Sequence, residues 1–381
     1  MAIVGVGSTG FARSHPGRSL LSLVAEAARA AIADAGVDRS EIDAACGIAP
    51  YVPGWFGVPP QLLAEALGLR LDHLSFDPPP IGYSLVSAVH AVAAGSCRTA
   101  LVYNGVYRSG ALSRSAARDP VRRQHGPPAD VGYGLLSRVD VAAAATAYFA
   151  GTGTSRLDLA RVVLNARSAA AGNELAALRD PLTLDEYLAA PMVRDPLTVL
   201  DCDLPVDGAE AFVVTGAERA RDLTDRRVLV HAVTLATRRA GPAWPGVTGS
   251  AQQVAMDSLR ERSELWIDDV DVCFPYDGFS IMALGSLEAM GYCPPGEVPG
   301  LLADSWSEDD GSLRLRGRVP VNPHGGSLAE GGSQGAGHLR EAVRQLTGTA
   351  GARQVPGAGV AIVAPGGFTN AQGMILRRDD L

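Results

Sequence analysis

Residues Val321 to His338 read VNPHGGSLAEGGSQGAGH, with six glycines standing directly before an apolar-periodic run, Leu339 to Leu346. Dense glycine ahead of a helix lets backbone come very close to another group. It also turns the helix's free N–H groups and positive dipole end toward that group. A thioester oxygen or a phosphate can be held this way. The same grammar occurs once more, at Asp77 to Ser84 (DPPPIGYS) before the helix-like Leu85 to Ala94. Two copies predict a site built between two related halves.

Outward from these turns the chain alternates β and α. Ala2 to Val6 reads as a strand, Ser19 to Ala35 as a helix ended by Gly36, Ile42 to Ile48 as a strand and Pro60 to Leu67 as a helix. Leu74 to Phe76, the helix Ser84 to Ala94 and the strand Ala100 to Tyr103 complete a first half suited to a mainly parallel sheet. The pattern breaks from about 105 to 205, read as an inserted cap of loops and polar helices such as Arg156 to Ala171. It resumes with strands at Ala209 to Thr215 and Arg227 to Leu235, a helix at Ala251 to Arg262, a strand at Val270 to Phe274 and a helix at Phe279 to Met290. Strands at Gly359 to Ala364 and Met374 to Arg377 follow the glycine-rich stretch and its helix. AGVDRSEIDAACGIAP (35–50) echoes RSELWIDDVDVCFPYDG (262–278), and GSCRTALVYNG echoes GAGVAIVAPGG. A duplicated α/β chain follows, with halves at 1–215, including the insertion, and 216–381. Its two glycine-rich turns should converge on one pocket.

Composition bounds the chemistry. With 381 residues and 47% hydrophobic content, the chain can bury a large core. A net charge of -8 argues against a nucleic-acid partner, and no apolar run reaches membrane-spanning length, so a soluble cytoplasmic protein is expected. Cys46, Cys97, Cys202, Cys273 and Cys293 are scattered and odd in number, which supports neither a disulfide framework nor a zinc site. All 33 Lys+Arg residues are arginines. Without lysine, Schiff-base aldolases, pyridoxal-phosphate enzymes and Walker-type phosphate loops are excluded.

Three stretches carry a family resemblance: VLDCDLPVDGAEAFVVT (199–215), CFPYDGFSIMALGSLEAMGYCPPGE (273–297), and VNPHGG (321–326) with its loop and QLTG. Over nearly its full length the chain resembles the thiolase superfamily. Within it, the match is to the sterol-carrier-protein-type thiolases and the lipid-transfer-protein aldolases of steroid side-chain degradation. The resemblance implies a five-layered duplicated α/β thiolase fold, a homodimer, an acyl-CoA substrate and an OB-fold/zinc-ribbon accessory partner. No cofactor is bound covalently, coenzyme A entering as the thioester part of the substrate.

The departures from the family speak to the reaction. The thiolase nucleophile position falls on Pro78, with Tyr83 and Ser84 nearby. The histidine of the GHP turn falls on Gly332, and the late cysteine near Ala364 or Pro365. Claisen condensation through an acyl-enzyme is therefore not expected. Tyr276, in YDGF where related thiolases have HDCF, takes by resemblance the acid/base role of the aldolase tyrosine. A phenol suits that role if its pKa is lowered from near 10. The aldolases' second loop tyrosine corresponds to Gly332, leaving Glu330, His324, His338, Tyr83 or a water to substitute.

His324 is the expected partner of Tyr276, with a turn-bracing histidine as the alternative. Gly325, Gly326, Glu330, Gly331 and Gly332 would line the substrate and supply backbone donors to the enolate. Asp201, Asp207 and Asp277 are read as fixing turns and helix starts. Arg108, Arg114, Arg118, Arg122 and Arg123 form a basic cluster suited to CoA phosphates, or a solvated loop. Two readings stay open: a retro-aldolase of a β-hydroxyacyl-CoA, and an inactive thiolase-fold subunit that binds acyl-CoA or lipid or acts as a scaffold. Atypical acyl transfer is a third.

Overall fold

The computed structural model describes residues 1–49, 57–108, 138–238, 249–367 and 369–381. Nine strands make its main sheet: β1 (Ala2–Ala12), β2 (Ala44–Ile48), β3 (His73–Asp77), β4 (Thr99–Tyr107), β5 (Asp207–Thr215), β6 (Val228–Thr237), β7 (Val272–Pro275), β8 (Val360–Ala364) and β9 (Asn370–Arg378). The order is β3-β2-β4-β5-β1-β6-β9-β8-β7. Outward from the middle, β1-β5-β4-β2-β3 runs one way and β6-β9-β8-β7 the other, and Val321 bridges in parallel to Cys273 where the first half has β3. The directions repeat as well. β4 lies parallel to β2 and antiparallel to β5, as β8 lies parallel to β7 and antiparallel to β9. The halves join where β1 meets β6, at Ala2↔Leu229 and Ile3↔Val228.

One side-chain device is also repeated. Asp43, just before β2, accepts from the amides of Arg98 and Thr99 at the start of β4. Asp271, just before β7, accepts from the amides of Gly359 and Val360 at the start of β8. Each carboxylate satisfies strand-end N–H groups that have no ladder partner, and the two lie in the paired sequence echoes.

The helices are α1 (Leu20–Ala35), α2 (Pro60–Leu67), α3 (Gly82–Ala93), α4 (Arg138–Thr152), α5 (Arg156–Ala170), α6 (Leu184–Ala189), α7 (Ala217–Leu223), α8 (Ala251–Glu261), α9 (Ser280–Met290), α10 (Val298–Ser305), α11 (Gly326–Ala329) and α12 (Ala336–Leu346). α1 starts at a Ser19/Ser22 capping box and stops at Gly36, which takes the left-handed conformation that ends helices cheaply. With α2 it covers the outer face of the first half-sheet, Leu23, Val24 and Leu63 sharing a core with Tyr103 of β4. α3 and α12 form the central layer. Their Leu85, Ala88, Leu339 and Ala342 share one core with Val102 and Phe212 of the first half and Phe274 and Val363 of the second. On the far side Met256, Leu259, Leu284 and Leu287 of α8 and α9 pack beneath Ile362 and Ile375. Helix, sheet, helix, sheet, helix is the five-layered arrangement.

The segment read as an insertion begins later than expected, because β4 runs on to Tyr107. Although it interrupts the first half of the chain, its core lies against the second. Val141, Tyr148, Leu159 and Val163 belong to the same cluster as α8 and α9. α5, polar in composition, hides an apolar face and is opened by a Ser155/Asp158 capping box. From this segment Asn165 donates to the Val321 carbonyl at 2.9 Å, fixing the strand that leads into the glycine-rich loop. No described helix is long and apolar enough to cross a membrane.

Candidate active site

The two glycine-rich turns do meet. The Ile81 amide, at the start of α3, donates to the Gln334 carbonyl at 3.0 Å, and Asn370 donates to the Pro79 carbonyl at 3.1 Å. Pro365 packs against Gly335, where a Cβ would strike its ring at 2.5 Å. Of the three family positions without their usual residues, Gly332 and Pro365 thus lie in this cluster of loops. Pro78 is exposed and stands four residues before α3 begins, and the first turn of that helix carries the Ser84 hydroxyl but no cysteine. Burial pushes the Cys46, Cys97 and Cys293 thiols up to about 11, 12 and 12. It raises Cys273 as well. None of these four is an activated thiolate.

The closeness that glycine allows is to the chain's own carboxylates. Gly326 has φ +59, and a Cβ there would collide with Asp277 Oδ2. A Cβ on Gly332 would collide with Asp203 Oδ2 and lie 2.5 Å from Arg108 Nη1. The expected open cradle of amides is partly filled. Asp277 Oδ1 accepts from the Ser327 amide at 2.8 Å, and Ser333 Oγ accepts from the Gly337 amide at 2.9 Å.

Tyr276 follows β7 and turns its ring over its own loop, which Gly278 permits because a Cβ there would meet the ring at 2.5 Å. The condition of a lowered phenol pKa is not met in the structure. Burial raises it, nearby Asp203 and Asp277 raise it further, and Arg108 only partly opposes them. Tyr276 is therefore a neutral phenol at ordinary pH, a proton donor first.

The structure does not place His324 directly against Tyr276. His338 stands between, its ring centroid 6.0 Å from Tyr276 and 4.7 Å from His324. His338 Nε2 lies 2.9 Å from Asp277 Oδ1. A carboxylate only accepts, so Nε2 is the donor to Asp277, while Nδ1 is buried without a hydrogen-bond partner among the described residues. Asp277 does fix a helix start, that of α11, and also orients this histidine. His324 is fully enclosed, with neither ring nitrogen hydrogen-bonded among the described residues. Burial holds its pKa well below 6.5, with His338, Arg340 and Arg353 adding to the effect. It is a neutral ring.

Glu330 joins a buried ion network. Its Oε1 accepts from Arg340 and from Asn173, the latter at 2.7 Å, while Oε2 lies 3.8 Å from His324 Nε2. Arg340 also binds Glu210 at 2.8 Å, and Glu341 pairs with Arg353 at 2.9 Å. Gly331 and Gly332 ride above this network. The Gly332 amide donates to the Leu204 carbonyl at 2.9 Å.

Arg108 leaves the basic cluster it has in sequence and is buried in the site, forked on Asp203 at 2.5 and 3.1 Å. Arg114, Arg118, Arg122 and Arg123 lie outside the described residues. Tyr83 is turned elsewhere, its hydroxyl 3.1 Å from Thr237 Oγ1 at the end of β6. Asp203, Arg340 and Asn173 escaped notice in the sequence. Arg340 and Glu341 did leave a signal, as charges inside a helix that must be buried to fill the central layer. The partnership of Asp203 with a residue 95 positions away left none.

Comparison with known proteins agrees with this fold. The thiolase C-terminal domain-like family model matches residues 220–378. The chain is 31% identical to 17-hydroxy-3-oxo-4-pregnene-20-carboxyl-CoA lyase of Mycobacterium tuberculosis, over 98% of each chain. It is 30% identical to the steroid side-chain-cleaving aldolase of Thermomonospora curvata, over 91% of this chain and 90% of the relative. The solved structure of the Ltp2-ChsH2(DUF35) aldolase superposes with a TM-score of 0.85 at 28% identity, covering 99% of this chain and 97% of that one. This chain belongs to the thiolase superfamily, among its carbon–carbon lyases of the steroid side-chain-cleaving aldolase kind.

Proposed function

We propose that the protein cleaves a β-hydroxyacyl-CoA by a retro-aldol step, releasing a ketone and a shorter acyl-CoA, with Tyr276 as the acid/base group. The observation that carries this reading is a neutral, buried phenol beside Arg108, Asp203 and His338 at the second glycine-rich turn, with no cysteine at the start of α3 to be acylated. Neutral His324 and the His338–Asp277 pair lie behind it and hold its ring in a fixed polar setting. The backbone of Gly325, Gly326, Gly331 and Gly332, with Glu330 beneath, shapes the wall against which the thioester rests. The substrate is a thioester with a tertiary β-carbon, of the steroid side-chain type named for the Mycobacterium tuberculosis relative. Coenzyme A enters only as part of that substrate, and Arg122 and Arg123 are suited to its phosphates.

A homodimer fits the exposed edge strand β3, whose Leu74 and Phe76 face outward. A DUF35-type OB-fold and zinc-ribbon partner fits the likeness to the Ltp2-ChsH2 assembly. A cytoplasmic location accords with both.

The test is mass-spectrometric product analysis of 17-hydroxy-3-oxo-4-pregnene-20-carboxyl-CoA incubated with the chain, alone and with a DUF35 partner. A ketone and a shortened acyl-CoA are expected, and Tyr276→Phe should lower turnover by about 10²–10⁴-fold. A thioester that binds but stays intact under every pairing would make the protein a binding subunit instead.

A further inference from the structure

We propose that Asp203, held and oriented by Arg108, is the base that removes the β-hydroxyl proton of the substrate, opposite Tyr276 as the acid. The assignment rests on the aldolase reading. A retro-aldol cleavage needs both partners, because one group takes the hydroxyl proton while another returns a proton to the enolate. Tyr276, kept protonated by burial, fills only the second role at the outset.

Access decides among the candidates for the first. A base must touch its substrate. His338, Asp277 and Glu330 have side chains only 1% exposed, and His324 is completely enclosed. Asp203 is 16% exposed at its side chain and Arg108 9%, while Tyr276 is 7% exposed. These three are the part of the cluster a ligand can reach. Asp203 is also stitched firmly in place. Its amide donates to the Gly278 carbonyl, in the turn that carries Tyr276, at 2.9 Å, and the next residue, Leu204, donates to Ser327 and accepts from Gly332. Gly332 matters because any side chain there would occupy the space of the Asp203 carboxylate and the Arg108 guanidinium. The two-point fork of Arg108 fixes the carboxylate plane.

The step balances within the chain. Asp203 takes the β-hydroxyl proton, and Arg108, which stays charged, stabilises the developing alkoxide. The Cα–Cβ bond breaks, its electron pair forming the enolate of the shorter thioester as the β-carbon becomes a ketone. Tyr276 protonates the enolate carbon, leaving a phenolate. The proton on Asp203 then passes to that phenolate, restoring both groups without oxidant, metal or lysine.

Steady-state cleavage of 17-hydroxy-3-oxo-4-pregnene-20-carboxyl-CoA by the full chain with its DUF35 partner tests the assignment in wild type, Asp203→Asn and Asp203→Glu. Asp203→Asn should lower kcat by about 10²–10⁴-fold with KM changed by no more than about threefold. Asp203→Glu, which keeps the carboxylate, should fall between the two. Wild-type turnover with Asp203→Asn within about threefold in kcat, or with its defect confined to KM, overturns the role of Asp203 and leaves the aldolase reading intact. If Asp203→Asn does not fold, Asp203→Glu decides alone. A loss of tenfold or more in kcat at unchanged KM supports the assignment, and an unchanged kcat overturns it. A wild type that cleaves nothing overturns both readings together.

Discussion

The turn at Asp77 to Ser84 and the turn at Val321 to His338 hold matching places at the starts of the two central helices, yet they are built from opposite materials. The first presents prolines and Ile81 above an apolar core, and its carbonyls are tied down by backbone and by Asn370. The second rests on buried ions: Arg340 between Glu210 and Glu330, Glu341 with Arg353, and the His338–Asp277 pair. Duplication preserved the strand order and left side chains free to diverge. Chemistry has gathered around the second turn, with Arg108 and Asp203 contributed from either end of the inserted segment.

The sharpest way to break this contrast is to discharge the second turn. Arg340→Met leaves Glu210 and Glu330 buried without their cation, and should cost about 3–5 kcal/mol in chemical denaturation. A loss below about 1 kcal/mol would mean the ions are incidental.

A smaller effect separates the two turns by pH. Burial pushes Glu210 up to about 7 from 4.5 even though Arg340 pulls it down, so the folded chain holds a proton there that the unfolded chain releases. Its contribution is complete below about pH 4.5 and is lost as the pH climbs to about 7, an effect of about 3 kcal/mol. Relative to wild type, Glu210→Gln should therefore gain stability by that amount over the same interval, measured by denaturation across pH. A pH-independent difference would place that proton elsewhere.

The smallest effect belongs to the first turn. Pro78→Cys restores the family's nucleophile in sequence only, since the residue is exposed and outside the helix. No acyl adduct should appear by intact-mass measurement after incubation with acyl-CoA, and cleavage should be unaltered. A covalent acyl-enzyme would show that the first turn can still be recruited.

Much of the architecture was legible in the sequence, because periodicity and the echoes 35–50 and 262–278 report local order that the duplication repeats. The structure adds the reason for those echoes, Asp43 and Asp271 serving the same strand-end amides in each half. The site was legible only where a motif is contiguous. Tyr276 and His324 sit in such motifs and do lie in the cluster. The pairing of His338 with Asp277, 61 residues earlier, and of Arg108 with Asp203 depends on how distant segments cross. Adjacency along the chain instead grouped Arg108 with the arginines that follow it. The phenol's ionisation was not legible for a related reason. It follows from enclosure and two carboxylates, which spacing does not convey.

The position of β1 bears on how the molecule is made. Residues 2–12 are synthesised well before residues 207–215 and 228–229, their strand partners among the described residues. During translation this central strand can pack on α1, which follows it directly, but has no strand partner until residues 207–215 have emerged. Such long-range pairing slows folding and leaves an apolar strand open to wrong partners meanwhile. The strand that joins the two halves is the one that must wait longest for either, and nascent-chain protection by a chaperone should concentrate on it.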